Sequence, residues 1–122
     1  ALEVCLSSGQ KYSELRKGER KERDFQIVKI GVSMPREQLY DRVNRRVEMM
    51  IAAGLEAEAR SVLAYRHCNS LHTVGYSEMF DYFDGKTTLD EAIEQIKRNT
   101  RHYAKRQLSY WKRDADIRWL EI

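Results

Sequence analysis

The sequence predicts a mainly α-helical chain with two short β-strands, and three observations carry that expectation. Its 122 residues, 42% hydrophobic and 34% charged, suit one soluble, helix-rich unit with a modest core. Pro35, Gly54 and Gly85 stand at the ends of apolar-periodic stretches, where helices start and stop. Strand-like runs lie near residues 25–32 and 116–122. The whole of 1–122 is read as a single segment, without internal repeats or low-complexity stretches.

The elements follow in order. Ala1 to Leu6 opens as an apolar-rich helix over 1–7, ended by Gly9, with no N-cap before it; that abrupt start suggests a cut through a longer protein. A turn or short helix follows at Ser13–Lys17, running into the charged stretch Arg16–Arg23, read as a solvated loop. Phe25–Val32 is β-branched and bounded by turn residues, so it is expected as a strand. Pro35 opens a helix over 36–53 that Gly54 stops, and a further helix spans 56–66. The loop His67–Thr73 leads into a helical segment over Gly75–Phe83. Thr88 and Glu91 form a capping box for the longest helix, 89–112, and the tail 116–122 is the second strand. A lone strand pair is marginal in water. The two strands therefore either pair over packed helices or are edges of a larger sheet, and the abrupt start fits the second.

Composition also excludes. No apolar run approaches the roughly 18 residues of a membrane span, and no secretory leader is visible. Cys5 and Cys68 lack metal spacing and read as reduced thiols in a cytoplasmic protein. His67, Cys68 and His72 are three groups without a fourth, so no metal site is assigned. Gly85, Lys86, Thr87 and Thr88 imitate the end of a phosphate-binding loop, but Phe80 occupies the required earlier glycine and a helix precedes it. No nucleophile–base constellation appears.

The net charge of +3 proves no partner, but its distribution is informative. On the long helix Ala92, Ile93, Ile96, Tyr103 and Tyr110 share one side, with Trp111 at its border. Lys97, Arg98, Arg101, Lys105, Lys112 and Arg113 lie opposite, with no acid between Glu94 and Asp114. A solvated face ordinarily intersperses Glu with Lys. Leaving out the acids concentrates positive potential, as phosphate binding requires. The helix dipole favours cations only in its last turn, which accounts for Lys112 and Arg113 but not for Lys97 or Arg101. Gln107, Tyr110 and Trp111 adjoin the cations and could stack unpaired bases, although Tyr103 and Tyr110 read more simply as core.

On helix 36–53 the residues Leu39, Val43, Val47 and Met50 define an apolar arc, and Arg46 points almost into its middle. Such a guanidinium needs a neighbouring carboxylate, a route for its head to the surface, or a phosphate, and the pattern leaves these open. Gly75, at the mouth of a helix and followed by Tyr76, permits close backbone approach; it is either a plain turn or a place where free amides receive a phosphate or base edge.

Together these residues resemble the tRNA dimethylallyltransferases. The matching positions are Ala1, Leu2, Glu3 and Val4; Arg42, Arg46 and Met50; Gly54, Leu55 and Glu58; Val74, Gly75, Tyr76, Glu78 and Met79; and Thr100, Arg101, Tyr103, Ala104, Lys105, Arg106, Gln107 and Trp111. They occur in family order across nearly the whole chain. The resemblance implies the C-terminal part of a P-loop-type α/β enzyme, one that transfers a dimethylallyl group from dimethylallyl diphosphate to N6 of adenosine 37, beside the anticodon of tRNA. It implies that Arg46, with Arg42, binds the diphosphate. It also implies that the anticodon stem-loop meets His72, Thr73, Val74, Gly75, Tyr76 and Ser77, and on the long helix Arg101, Lys105, Arg106, Gln107, Leu108, Ser109, Tyr110, Trp111 and Lys112. His72 and Ser77 stand where the family commonly has arginine, and so does Lys112, which keeps charge but loses the bidentate fork.

The family's phosphate-binding loop, proton-accepting aspartate and magnesium-linked threonine would lie before Ala1. Magnesium is thus expected only in the whole enzyme, a monomer, whereas the piece alone binds no cofactor and could self-associate through open strand edges. The piece alone is expected to be inactive, and measurable dimethylallylation of tRNA by the 122-residue chain would refute this. The other expectation is a free-standing helical nucleic-acid-binding module, binding autonomously with steep salt dependence.

Overall fold

The computed structural model describes residues 1–16 and 24–122. Their elements, in chain order, are α1 (Leu2–Ser8), α2 (Tyr12–Leu15), β1 (Lys29–Ser33), α3 (Arg36–Ala52), α4 (Leu55–Ser61), α5 (Tyr76–Phe83), α6 (Leu89–Trp111) and β2 (Ile117–Glu121). Single 3-10 turns occur at Leu63–Tyr65 and Asn69–Leu71. Most of the solvated loop expected at Arg16–Arg23 lies outside the described residues.

The core sits where α3, α4, α5 and α6 meet. Val47, Leu55, Ala59, Met79, Phe80, Ala92 and Ile96 are buried together, with Met50, Ile51, Leu63, Leu71 and Ile93 packed around them. Local signals explain why these helices begin where they do. Thr88 Oγ1 accepts the Glu91 amide at 3.3 Å while Glu91 Oε2 accepts the Thr88 amide at 2.8 Å, the reciprocal bonds of a capping box. The Thr88 amide, with the Thr88 hydroxyl also donating to Oε2, favours the ionised carboxylate and holds Glu91 below its ordinary pKa.

β1 and β2 pair in parallel, from Lys29 opposite Ile117 to Ser33 opposite Glu121. The strand expected over 25–32 is therefore shorter and shifted: the five-residue partner β2 supplies no ladder for Phe25–Val28, which stay exposed. Gly31 is required by this pairing, because a Cβ there would lie 2.8 Å from both Ile117 Cγ2 and Trp119 Cε3. Lys29 Nζ meets Asp114 Oδ2 at 2.7 Å, tying the start of β1 to the approach to β2. The outer face of the pair is apolar yet open, with Ile30, Val32 and Leu120 exposed.

The helix expected over 56–66 is broken. α4 ends at Ser61, and after Val62 the chain tightens into a 3-10 turn, with Tyr65 N–H donating to Val62 O. Past that turn Arg66 makes a two-pronged bond to Asp84, Nη1 to Oδ1 at 2.7 Å and Nη2 to Oδ2 at 2.8 Å. The Arg66 fork, with Lys86 beside it, holds the Asp84 carboxyl well below the usual range. Lys86 also bonds Asp81 at 2.7 Å, so the phosphate-loop look-alike at Gly85–Thr88 spends its lysine on local acids.

Candidate nucleic-acid and diphosphate interface

Three sequence expectations about the site change on folding. The first concerns Arg46. The buried positions of α3 are Val43 and Val47, flanked by half-buried Leu39, Tyr40, Asn44, Met50 and Ile51. Counting Tyr40 and Asn44, which meet Arg101 of α6, and Ile51, which packs against the core, rotates the packed arc away from Arg46. Arg46 is exposed, as is Arg42, and neither has a carboxylate within ion-pair reach among the described residues. The buried reading of Arg46 fails, and no internal carboxylate meets it among the described residues.

The second concerns the cations of α6. Lys97 is not a free face: its ammonium bonds Glu48 at 3.0 Å and Glu94 at 2.9 Å, and its side chain is only 12% exposed. Arg101 is half-buried, donating to Asn44 Oδ1 at 2.7 Å and lying over the Tyr40 ring. These two residues fasten α6 to α3. Beyond them the helix leaves the core. Lys105, Arg106, Lys112 and Arg113 are exposed and have no carboxylate partner among the described residues. Tyr103 and Tyr110 are also exposed, at 53% and 65%, which corrects their reading as core. Their side of the helix continues the apolar line of Ala92 and Ile96, but nothing among the described residues buries it.

A continuous run of helical residues cannot face one way, since each step turns about 100°. The structure accordingly distributes the expected tRNA-contact residues over three surfaces. Lys105, Arg106, Ser109 and Tyr110 line an open groove of about 530 Å³ together with His102 and Arg113. Lys105, Leu108, Ser109 and Lys112 line a second cleft of about 310 Å³, opposite Arg36, Leu39 and Tyr40 of α3. Gln107, Leu108 and Trp111 turn instead toward the strands, against Gly31 and Trp119, in a cleft of about 430 Å³. His102 and Arg113 were missing from the expected contact set; their i, i+4 relation to Arg106 and Ser109 was the available signal.

The third change concerns Gly75. Its φ of 108° is open essentially to glycine alone, and the residue is buried. Its amide is not free for a ligand, because it donates to Glu78 Oε2 at 2.8 Å. The Tyr76 hydroxyl donates to Glu58 of α4, and the Tyr76 ring stacks on Phe80. Hydrogen bonding to the carboxylate, with burial, raises the Tyr76 pKa. His72, Thr73, Val74 and Ser77 remain exposed on the outside of the loop, with His72 Nε2 3.0 Å from Arg66 O.

Among the described residues no group of three or more His, Cys, Asp or Glu is placed to hold a metal ion, and no helix is long and apolar enough to cross a membrane.

Comparison with known proteins places these features in context. Residues 1–114 match the family described as IPP transferase. The chain is 54% identical over 119 residues to tRNA dimethylallyltransferase 1 of Bacteroides thetaiotaomicron, covering 98% of this chain and 39% of that protein. It is 46% identical over 122 residues to the tRNA dimethylallyltransferase of Christiangramia forsetii, covering 100% of this chain and 40% of that one. The full-length tRNA isopentenylpyrophosphate transferase of Bacillus halodurans superposes with a TM-score of 0.77 at 43% identity, over 89% of this chain and 36% of its own. A tRNA delta(2)-isopentenylpyrophosphate transferase of Staphylococcus epidermidis gives 0.76 at 31% identity, over 99% of this chain and 40% of its own. The chain thus spans about two fifths of the length of the curated relatives it matches.

Proposed function

Because the chain belongs to the IPP transferase family, we propose that it supplies tRNA and diphosphate contacts to an enzyme that moves a dimethylallyl group from dimethylallyl diphosphate to N6 of adenosine 37 of tRNA. The observation that carries this reading is a set of exposed cations on and beside two helices that have no carboxylate partner among the described residues. They include Arg42 and Arg46 on α3, Arg98, Lys105 and Arg106 on α6, and Lys112 and Arg113 just past its end. Exposed cations that no neighbouring carboxylate neutralises can neutralise an external polyanion. The match over residues 1–114 favours this reading over a free-standing nucleic-acid-binding module.

In the proposed reaction the N6–carbon bond forms as the carbon–oxygen bond to diphosphate breaks. The amine proton passes to an aspartate expected in the rest of the enzyme. Arg46, with Arg42, would meet the departing diphosphate, where a planar fork can bind two oxygens and stabilise charge that grows in the transition state. The exposed outer side of the 72–77 loop and the second half of α6 would receive the anticodon stem-loop. Ile30, Val32 and Leu120, exposed beside Arg118 on one face of a parallel pair, fit a face that other parts of the whole enzyme cover, as in the P-loop type expected for the family. Magnesium, implied for the whole enzyme, finds no ligand cluster among the described residues, so the roles given are those of this chain's own side chains.

The test is Arg46→Ala in the whole enzyme. We expect kcat/KM for dimethylallyl diphosphate to fall roughly tenfold to thirtyfold with tRNA affinity unchanged. An unchanged prenyl-donor kcat/KM would remove Arg46 from the diphosphate site.

A further inference from the structure

Glu78 is the one buried charged residue among the described residues, at 7% exposure, and it has no lysine or arginine within ion-pair reach there. A carboxylate so placed is costly unless its oxygens are satisfied by donors. Both are. Oε2 accepts the Gly75 amide at 2.8 Å, and Oε1 accepts Asn99 Nδ2 at 2.7 Å. The first bond fixes the entry to α5, and the second reaches across to α6.

We propose that Glu78 and Asn99 are a positioning pair that holds the 72–77 loop in register with the basic half of α6, so that one tRNA can engage both. This rests on the function proposed above. The choice of side chains fits the task. An apolar residue beside Met79 would pack at lower cost, but it could not bond the Gly75 amide and Asn99 at once. Glycine at 75 lets the chain take its φ of 108°, and the Glu78 bond holds it there. Asn99 stands six positions before Lys105, on the order of 9 Å along the helix, so the bond sets the loop against the cations over a short, stiff distance. The inner side of the loop is consumed by Glu78 and Glu58, leaving its exposed side chains as a presented surface.

The pair makes a test that swaps its chemistry. In the whole enzyme, Asn99→Asp sets two carboxylates against each other, and the KM for tRNA should rise roughly tenfold while the KM for dimethylallyl diphosphate stays within about twofold. Combining it with Glu78→Gln restores the geometry in mirror image: the Gln oxygen takes the Gly75 amide and its NH2 group donates to the new carboxylate. The double variant should recover tRNA KM to within about threefold of the parent. Glu78→Gln alone should be mild, because Asn99 can flip its amide. If Asn99→Asp does not fold, Asn99→Ala carries the same comparison of the two KM values.

A variant that loses only kcat or active fraction, with tRNA KM unmoved, or a double variant that fails to recover, overturns the pairing. Absence of tRNA-saturable turnover in the parent enzyme would instead overturn the proposed function.

Discussion

Replacing Lys105, Arg106 and Arg113 together by alanine should weaken tRNA binding on the order of 10²- to 10³-fold at physiological salt, and should flatten the plot of log affinity against log salt by about 2 to 3 units. All three line the same open groove, and none has a carboxylate partner within the described fold. Their loss should therefore leave helicity and melting temperature nearly unchanged, which separates an electrostatic effect from a folding one. Lys97→Ala is the matched control. Its ammonium is already engaged by Glu48 and Glu94, so its removal should alter stability slightly and leave the salt slope alone. Equal slopes for the parent and the triple variant, read from binding titrations over a range of salt, would mean that phosphates do not occupy this groove.

The largest effect on stability is expected at Met79. Its side chain is fully buried at the junction of α3, α4, α5 and α6, beside Val47, Ala59, Phe80 and Ile96. Truncation to alanine removes those contacts and leaves a cavity that the surrounding helices fill only in part, at a cost of about 2–5 kcal/mol. Against a total stability of about 5–15 kcal/mol this is a large share, and the melting temperature should fall by roughly 10–20 °C. Met49→Ala makes the same chemical change at a position 65% exposed, so its shift should stay within about 0.5 kcal/mol. Comparable melting curves for the two variants would show that the core is not where these helices meet.

The two cases also show how a helix face is legible in sequence and where it is not. Val43, Val47, Ala92 and Ile96 are buried as their spacing predicts, because apolar residues at helical period must face something. Arg46, read from the sequence as almost in the middle of the α3 arc, is exposed, because its fate depended on how far α3 is rotated against α6. The Arg101–Asn44 bond and the Lys97–Glu48 pair belong to that rotation, and each joins residues about 50 positions apart, beyond the reach of any local pattern. Tyr103 and Tyr110 fail for a related reason. Their period is right, but the helix outruns its neighbours and nothing among the described residues covers them.

By itself, then, the sequence determined the order of helices and strands, the caps that start them, most of the core and the family, because these follow from backbone preferences and short-range spacing. Only the tertiary structure decided which cations remain free, how the 105–112 run divides among three surfaces, and that Glu78 joins the Gly75 loop to α6. Those outcomes depend on which side chains from distant parts of the chain arrive within bonding distance, and that is fixed by the packing of whole helices.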